Sequence, residues 1–302
     1  MTPSTSVEVD IGGRQLKLSN LDKVLWPATG FTKGQMIDYY ARISPVMLGH
    51  VEGRPITLRR YPNGVDKTSF FEKNCPSHRP PWLPTIDMGG IGYCCLGEPA
   101  ALVWTANLAA IEIHPSLARS EDLACPRSVV FDLDPGEGAD VLTCGRVAFL
   151  LQEALDVLKL QAWVKTSGSK GLQVYVPLNT PVTYDDTRPF SHALAQVLER
   201  QHPGLVVTTQ DKSVRPKKVL IDWSQNTASK TTVSVYSMRA RDRPTVSTPL
   251  EWSEVEAAME AGDPEMLVFE APAVLQRVAE KGDLMAPLLS TEQVLPGGIS
   301  SR

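Results

Sequence analysis

The chain of 302 residues holds 42% hydrophobic and 21% charged side chains and carries a formal net charge of −4, the make-up of a globular protein with a sizeable core in one large domain or two subdomains. Its opening MTPSTSVEVD lacks the basic and apolar pattern of a secretory signal, and no apolar run approaches the roughly 18 residues of a membrane span. A secreted or membrane protein is excluded on that reading, and a cytoplasmic one is expected.

The acidic sum hides an uneven distribution. Between Glu251 and Met285 lie nine acidic and two basic residues, a net of −7 that leaves +3 on everything else. Arg54, Arg59 and Arg60 precede a turn at Pro62, Asn63 and Gly64; Lys212, Arg215, Lys217 and Lys218 crowd into one stretch; Arg239, Arg241 and Arg243 follow. Single clusters of this kind are usually solvated faces, but distribution rather than net charge decides whether a chain meets nucleic acid.

In chain order, residues 32–49 begin with Thr32 as a helix cap and space Met36, Ile37, Tyr40 and Ile43 at helical intervals, with Pro45 expected to interrupt or kink the helix. RPITLRRYPNGV reads as a strand running into a tight turn. The five cysteines form no CxxC, and the adjacent Cys94 and Cys95 sit in an apolar setting, which predicts reduced, buried thiols. Cys75 and His78 could join them at a zinc ion, but vicinal cysteines make awkward ligands, and zinc is set aside. Residues 102–110 read as a short buried helix leading into a strand IEIH. From Ser128 the pattern becomes regular: strand SVVFDLD, helix 139–160, strand AWVKTS, a glycine turn, strand LQVYVPL, helix 188–201, then LVVTT and KVLIDW. Such alternation predicts an α/β sheet with helices packed on it. Two acidic helices and a disordered tail over 291–302 complete the expectation.

The chemistry gathers in this regular part. On a strand successive side chains alternate faces, so Val129, Phe131 and Leu133 share one face of SVVFDLD while Asp132 and Asp134 share the other. Pro135 and Gly136 end the strand and place both acids at the sheet's rim. Two carboxylates about 4 Å apart at an effective dielectric near 20 repel by roughly 4 kcal/mol, a conflict a divalent cation removes. A DxD alone is more often a solvated strand end. Here KVLIDW supplies another lone acid, Asp222, in a second apolar strand, and three such carboxylates suit two hard cations in phosphoryl transfer. Between them KTSGSKGLQVYV offers backbone N–H groups, hydroxyls and Lys170 to phosphate oxygens, although it is not a Walker loop, since the spacing and the following helix are missing.

FDLDPGEG, TSGSKG, IDWSQN with SKTT, and PNGVD with FFEKN together resemble the polymerase domain of bacterial DNA ligase D, a family of the archaeo-eukaryotic primase superfamily. The similarity runs from about Leu18 to Leu289. It implies a primase-like α/β (α+β) fold in one domain over 1–290. Residues 1–125 would form an N-terminal module, 126–250 a catalytic core with an RRM-like sheet across a cleft from it, and 251–290 the acidic helices.

The resemblance also implies roles. Asp132, Asp134 and Asp222 match the catalytic metal-binding triad for two manganese or magnesium ions. Ser167, Lys170, His114, Arg239 and Gln225 match contacts to the incoming NTP or dNTP, and Arg59 stands where the family has a lysine. Lys23 and Lys33 match the pair that grips a 5′-phosphate, which rewards two cations. Phe70 and Phe71 match the aromatic pair on the template. Adjacent extended residues point opposite ways, so one exposed ring is expected, a platform of about 1–3 kcal/mol per base. Arg215 matches a loop arginine that organises the template. The stretch Trp82–Tyr93, matching a loop that pairs two broken ends, is short and glycine-rich.

The function implied is a nucleotidyltransferase of non-homologous end joining that adds nucleotides, ribonucleotides preferred, to a primer 3′-hydroxyl at gaps, overhangs or breaks with a 5′-phosphate. Ku and a separate ATP-dependent ligase would be its partners, in a bacterial or archaeal nucleoid. The chain holds no ligase or nuclease domain and is read as a stand-alone polymerase or an excised domain. Rival readings are a primase or repair polymerase outside end joining, and a non-catalytic DNA-end-binding module. The three aspartates argue against the module, because a pure binder has no use for unpaired carboxylates near phosphate.

Overall fold

The computed structural model describes residues 6–296. Its elements begin with β1 (Ser6–Ile11), β2 (Arg14–Ser19), β3 (Val24–Trp26), β4 (Phe31–Thr32), α1 (Lys33–Val51), β5 (Ile56–Arg60), β6 (Phe70–Glu72), β7 (Thr85–Met88), β8 (Ile91–Cys94), α2 (Pro99–Asn107) and β9 (Ala110–Pro115). There follow β10 (Ala118–Arg119), β11 (Asp122–Pro126), β12 (Ser128–Pro135), α3 (Val141–Val157), β13 (Trp163–Thr166), β14 (Leu172–Pro177) and α4 (Tyr184–Gln201). The last are β15 (Val206–Val207), β16 (Val219–Asp222), β17 (Pro249–Leu250), α5 (Trp252–Ala261) and α6 (Ala271–Lys281). None of the helices described is long and apolar enough to cross a membrane.

Backbone contacts divide the chain into two units. The first takes in Met1–Ser116, Val233–Ser247 and Phe269–Gly282, and the second Leu117–Thr232, Thr248–Val268 and Asp283–Arg302. These limits differ from a simple cut near residue 125. Val233–Ser247 belongs with the first unit because Ser234 N–H donates to the Ile113 carbonyl at 2.9 Å and Met238 N–H to the Tyr40 hydroxyl at 3.0 Å. The two acidic helices also part company, α5 with the second unit and α6 with the first. Residues 291–296 carry no helix or strand but are not loose. Gln293 N–H donates to the Leu178 carbonyl and its amide to the Pro177 carbonyl, and the rest of the expected tail lies outside the described residues.

In the first unit an antiparallel sheet runs β6-β5-β8-β7, with β9 also paired to β5. α1 starts where predicted: Thr32 and Gln35 form a reciprocal capping box, and Met36, Ile37, Tyr40, Ile43 and Met47 are buried. Pro45 does not end it. The carbonyl that proline leaves without an N–H partner is that of Ala41, and the Ser44 hydroxyl donates to it at 2.8 Å. Cys75 and Cys94 are joined as a disulfide, so these two are not the reduced thiols expected from their apolar setting. Their Cα atoms lie 4.8 Å apart, within bonding reach, and neither sulfur remains a thiolate for zinc.

The second unit is built on the six-stranded sheet β15-β16-β12-β14-β13-β17, antiparallel except for β15 beside β16. α3 lies on β12 and β14, capped by Asp140, whose carboxylate accepts from Thr143 N–H at 2.8 Å. Val129, Val130, Phe131 and Leu133 on β12 are all buried. α4 starts at Tyr184, earlier than the predicted 188, because Thr183 and Asp186 form a capping box upstream of Pro189.

Candidate active site

In the second unit the acids of the sequence come together through strand register. Asp132 on β12 stands directly opposite Asp222 on β16 and, on its other side, opposite Gln173 on β14, which in turn pairs with Lys165 on β13. One polar row, Lys165, Gln173, Asp132 and Asp222, therefore crosses four strands. Asp134 lies two residues along the same face of β12, in register with Leu220.

Each member of this row is held. The Gln173 amide donates to Asp132 Oδ1 at 3.0 Å. Asp222 is buried; its Oδ1 accepts from the Ser224 N–H at 3.0 Å and the Ser224 hydroxyl at 2.5 Å, and its Oδ2 accepts from the Gln225 amide at 2.9 Å. Asn226 fixes the following turn by pairing with β12 as a strand would: it accepts from Val130 N–H at 2.9 Å and donates to the Val130 carbonyl at 2.8 Å. Lys230 reaches the Ser224 hydroxyl. Burial, and next the charge of Asp134, push the Asp132 carboxyl up to about 7; Asp222 adds to this, while Gln173 and the buried Lys165 pull back.

Among the described residues no group of three or more His, Cys, Asp or Glu side chains is placed to hold a metal ion. The fit to a divalent cation rests on the donor set: three carboxylates on adjoining strands, all hard oxygen ligands, with one driven toward protonation by burial and by its acidic neighbours. In donor chemistry, though not in convergence, these residues fit such an ion.

The TSGSKG turn joins β13 to β14. Gly171 has no room for a side chain, since a Cβ would collide with the Leu133 carbonyl on β12; the turn is thereby pressed against the acid-bearing strand. The turn's amides are not offered outward as the sequence suggested. Ser167 Oγ accepts from the N–H groups of Ser169 and Gly171, both at 3.2 Å, and Thr166 Oγ1 accepts from Gly168 N–H. Ser167 is buried and Lys170 exposed, so the ammonium is the group the turn presents. Beyond β12 the basic loop is stitched to the strand end. Gly136 N–H donates to the Lys218 carbonyl, Lys217 N–H to the Glu137 carbonyl, and a Cβ at Gly136 would strike the backbone of Arg215. Gln225 touches Asp222 and thus orients an acid.

In the first unit another row crosses three strands, Phe71 opposite Arg59 and Arg59 opposite Glu112. Glu112 is 2% exposed and receives His114 Nε2 at 2.9 Å, Arg239 Nε at 3.4 Å and Arg59 Nη1 at 3.7 Å. Burial pushes its carboxyl up, but the His114 hydrogen bond and the charges of Arg239 and Arg59 outweigh it and hold the group at about 2. His114 is lowered, by burial first. Both phenylalanines are exposed, Phe70 by 45% and Phe71 by 58%, rather than one of them. Each lies against an arginine of β5, with Arg60 5.3 Å from Phe70 and Arg59 5.1 Å from Phe71.

The lysine pair is also assembled. Lys33 N–H donates to the Lys23 carbonyl at 2.8 Å, bringing two residues ten apart to one spot across the β3-β4 ribbon. Lys23 Nζ reaches the Pro62 carbonyl at 2.6 Å, in the PNG turn, and Lys33 Nζ the Ser19 carbonyl at 2.6 Å. Burial, then the charge of Lys23, brings Lys33 down to about 8.

Sequence reasoning passed over Glu112, Lys165, Gln173 and Asn226. For the first three the signal was the one that exposed Asp222, a single charged or amide residue inside an otherwise apolar strand. Asn226 left no such mark, because its strand-like pairing depends on β12, far away in sequence.

Residues 32–285 match the family model described as LigD, primase-polymerase domain. The multifunctional non-homologous end joining protein LigD of Mycolicibacterium smegmatis is 42% identical over 280 residues, 91% of this chain and 36% of that protein. The bifunctional non-homologous end joining protein LigD of Bacillus subtilis is 30% identical over 269 residues, 89% of this chain and 43% of that protein. The chain thus spans less than half the length of these curated relatives. A solved structure, the polymerase domain from Mycobacterium tuberculosis ligase D in complex with DNA, matches with a TM-score of 0.83 at 41% identity, covering 91% of this chain and 98% of that one. The mixed α/β fold described above is the fold of that domain.

Proposed function

Because this chain belongs to the LigD primase-polymerase family, a family of nucleotidyltransferase-type enzymes, we propose that it extends a DNA primer 3′-hydroxyl under template direction. It would do so at short gaps and broken ends in non-homologous end joining, with ribonucleotides preferred. The observation that carries this reading is the acid row of the second unit, Asp132 opposite Asp222 with Asp134 beside them, against the TSGSKG turn.

Asp132, Asp134 and Asp222 would hold divalent cations, manganese or magnesium, which when bound supply activation of an attacking oxygen and stabilisation of a leaving one. The remaining roles fall to the chain's own groups. Gln173 and the Ser224 and Gln225 pair fix the direction of the carboxylates, and Lys170 offers an exposed ammonium to a triphosphate. Arg59 and Arg239, with His114 beside them, form a second cationic cluster for the incoming nucleotide. Lys23 and Lys33 take a 5′-phosphate, a dianion that two ammonium groups suit, and the exposed rings of Phe70 and Phe71 stack on unpaired template bases. Ku and a separate ligase remain the expected partners.

The test is extension across a one-nucleotide gap with each ribo- and deoxynucleotide, under magnesium or manganese. Asp222→Ala is expected to cut extension by more than about a hundredfold, as loss of a metal ligand should, while binding to gapped DNA stays nearly intact. Undiminished synthesis in that variant overturns the acid-row assignment. Binding without synthesis in the unmutated chain would leave the end-binding module instead.

A further inference from the structure

Glu112 poses a problem for a phosphate-binding cluster. A carboxylate repels phosphate, yet this one is 2% exposed at the centre of the groups assigned to the incoming nucleotide. It touches all three: His114 at 2.9 Å, Arg239 at 3.4 Å and Arg59 at 3.7 Å; and the Ala240 N–H donates to its Oε1 at 3.2 Å. Its place is built from the strand outward. Glu112 and His114 share one face of β9, Arg59 comes from the neighbouring β5 in register with Glu112, and Arg239 arrives from a distant stretch held by the Tyr40 hydroxyl at Met238.

We propose that Glu112 is a positioning residue of the nucleotide site, a buried carboxylate that gathers Arg59, Arg239 and His114 and fixes the orientation in which they meet a nucleoside triphosphate. Two guanidinium groups packed together repel one another, and without a carboxylate between them they would splay toward solvent. One carboxylate against two arginines leaves a net positive charge, so the cluster keeps its attraction for anions. Glu112 holds one edge of each partner, and Arg59 is held on another side by Ser69, whose Oγ accepts from its Nη2 at 3.5 Å. Arg59 Nε–H is buried with no hydrogen-bond partner, and its guanidinium is confined between the rings of Tyr61, 5.3 Å away, and Phe71, 5.1 Å away. For His114 the bond to a carboxylate dictates the tautomer: Nε2 carries the proton and Nδ1 is left as an acceptor, suited to a hydroxyl of the nucleotide and not to its phosphates.

This rests on the polymerase reading above and deepens it, and charge and position predict opposite outcomes. Glu112→Gln raises the cluster's net charge by one. If Glu112 only damps the positive field, that variant binds triphosphate more tightly; if it orients the cluster, binding weakens. The expected result on gapped DNA is a nucleotide KM raised roughly tenfold, the size of one lost charge-assisted hydrogen bond, with a smaller change in kcat and partial rescue by Glu112→Asp. A KM that is unchanged or lowered in Glu112→Gln overturns the proposal.

Direct titration with ATP and with adenosine separates this from the wider function: the variant should lose affinity for ATP and not for adenosine, whether or not the chain extends primers. Should the variant not fold, 15N spectra of the unmutated protein still decide, since a neutral His114 protonated at Nδ1 would contradict the assignment. A chain that binds ATP through Glu112 but extends no primer would refute the polymerase reading and leave this one standing.

Discussion

Lys33 shows how one side chain can carry both a fold and a binding preference. Its ammonium is buried, bonded to the Ser19 carbonyl, and brought down to about 8 by burial and by Lys23. A bound 5′-phosphate dianion would supply the counter-charge and raise it again. As pH rises through 8 the free protein loses this charge, so binding the phosphate then requires taking up a proton. The preference of the chain for gapped DNA with a 5′-phosphate over a 5′-hydroxyl should therefore fall between pH 7 and pH 9, approaching tenfold. Lys33→Arg, whose guanidinium stays charged, should hold the preference flat. Fluorescence anisotropy on the two DNA ends across that pH range checks this, and a preference indifferent to pH in the unmutated protein would rule it out. Ten residues separate Lys33 from Lys23, and nothing in that spacing shows the β3-β4 ribbon that unites them.

The β13 to β14 hairpin is where a strand's address becomes an active-site feature. Lone polar residues in WVKT, LQVYV, FDLD and VLID are visible in the sequence as breaks in apolar runs, and alternation alone says which face each takes. Their alignment into one row is not visible, because it depends on register between strands that begin as far apart as Ser128 and Val219. The turn must lie close to β12 for that register to hold. Gly171→Ala, placing a methyl against the Leu133 carbonyl, is expected to cost about 1–3 kcal/mol through overpacking and to depress extension beyond that loss. Chemical denaturation of the variant measures the first effect; a midpoint equal to that of the unmutated chain would show that the turn is free to move. In α1, similarly, the helical spacing of apolar residues was plain from the sequence. The survival of the helix past Pro45 was not, because a rule about proline says nothing of Ser44 taking the orphaned carbonyl.

For the chain as a whole, the acid row is a place where fold and function oppose each other. Burial and the neighbouring carboxylates push Asp132 up to about 7, so the ionised row destabilises the protein when no cation is bound. Anything that binds the folded state alone stabilises it by mass action. Manganese at about a hundred times its dissociation constant should thus raise the thermal midpoint by roughly 5 °C. Asp132→Asn should raise the midpoint without added metal and respond little to manganese. Differential scanning fluorimetry of both proteins makes the comparison, and a manganese response surviving in the variant would remove Asp132 from the ligand set. The match to the mycobacterial domain over 91% of the chain extends to a fold whose two units draw on separated segments, among them Val233–Ser247 in the first. A linear cut near residue 125 misses this, since the hydrogen bonds that recruit that segment run to Ile113 and Tyr40.

Composition, periodicity and strand alternation are properties of neighbouring residues, and they were enough to determine the mixed α/β class, the main helices and the faces of Asp132, Asp134 and Asp222. The ordered motifs carried the family. Tertiary structure alone decided which residues stand opposite one another: Gln173 and Lys165 beside Asp132, Glu112 among Arg59, His114 and Arg239, and Cys75 bonded to Cys94. Pairing register and side-chain contact are set by groups distant along the chain, whose approach no local pattern encodes.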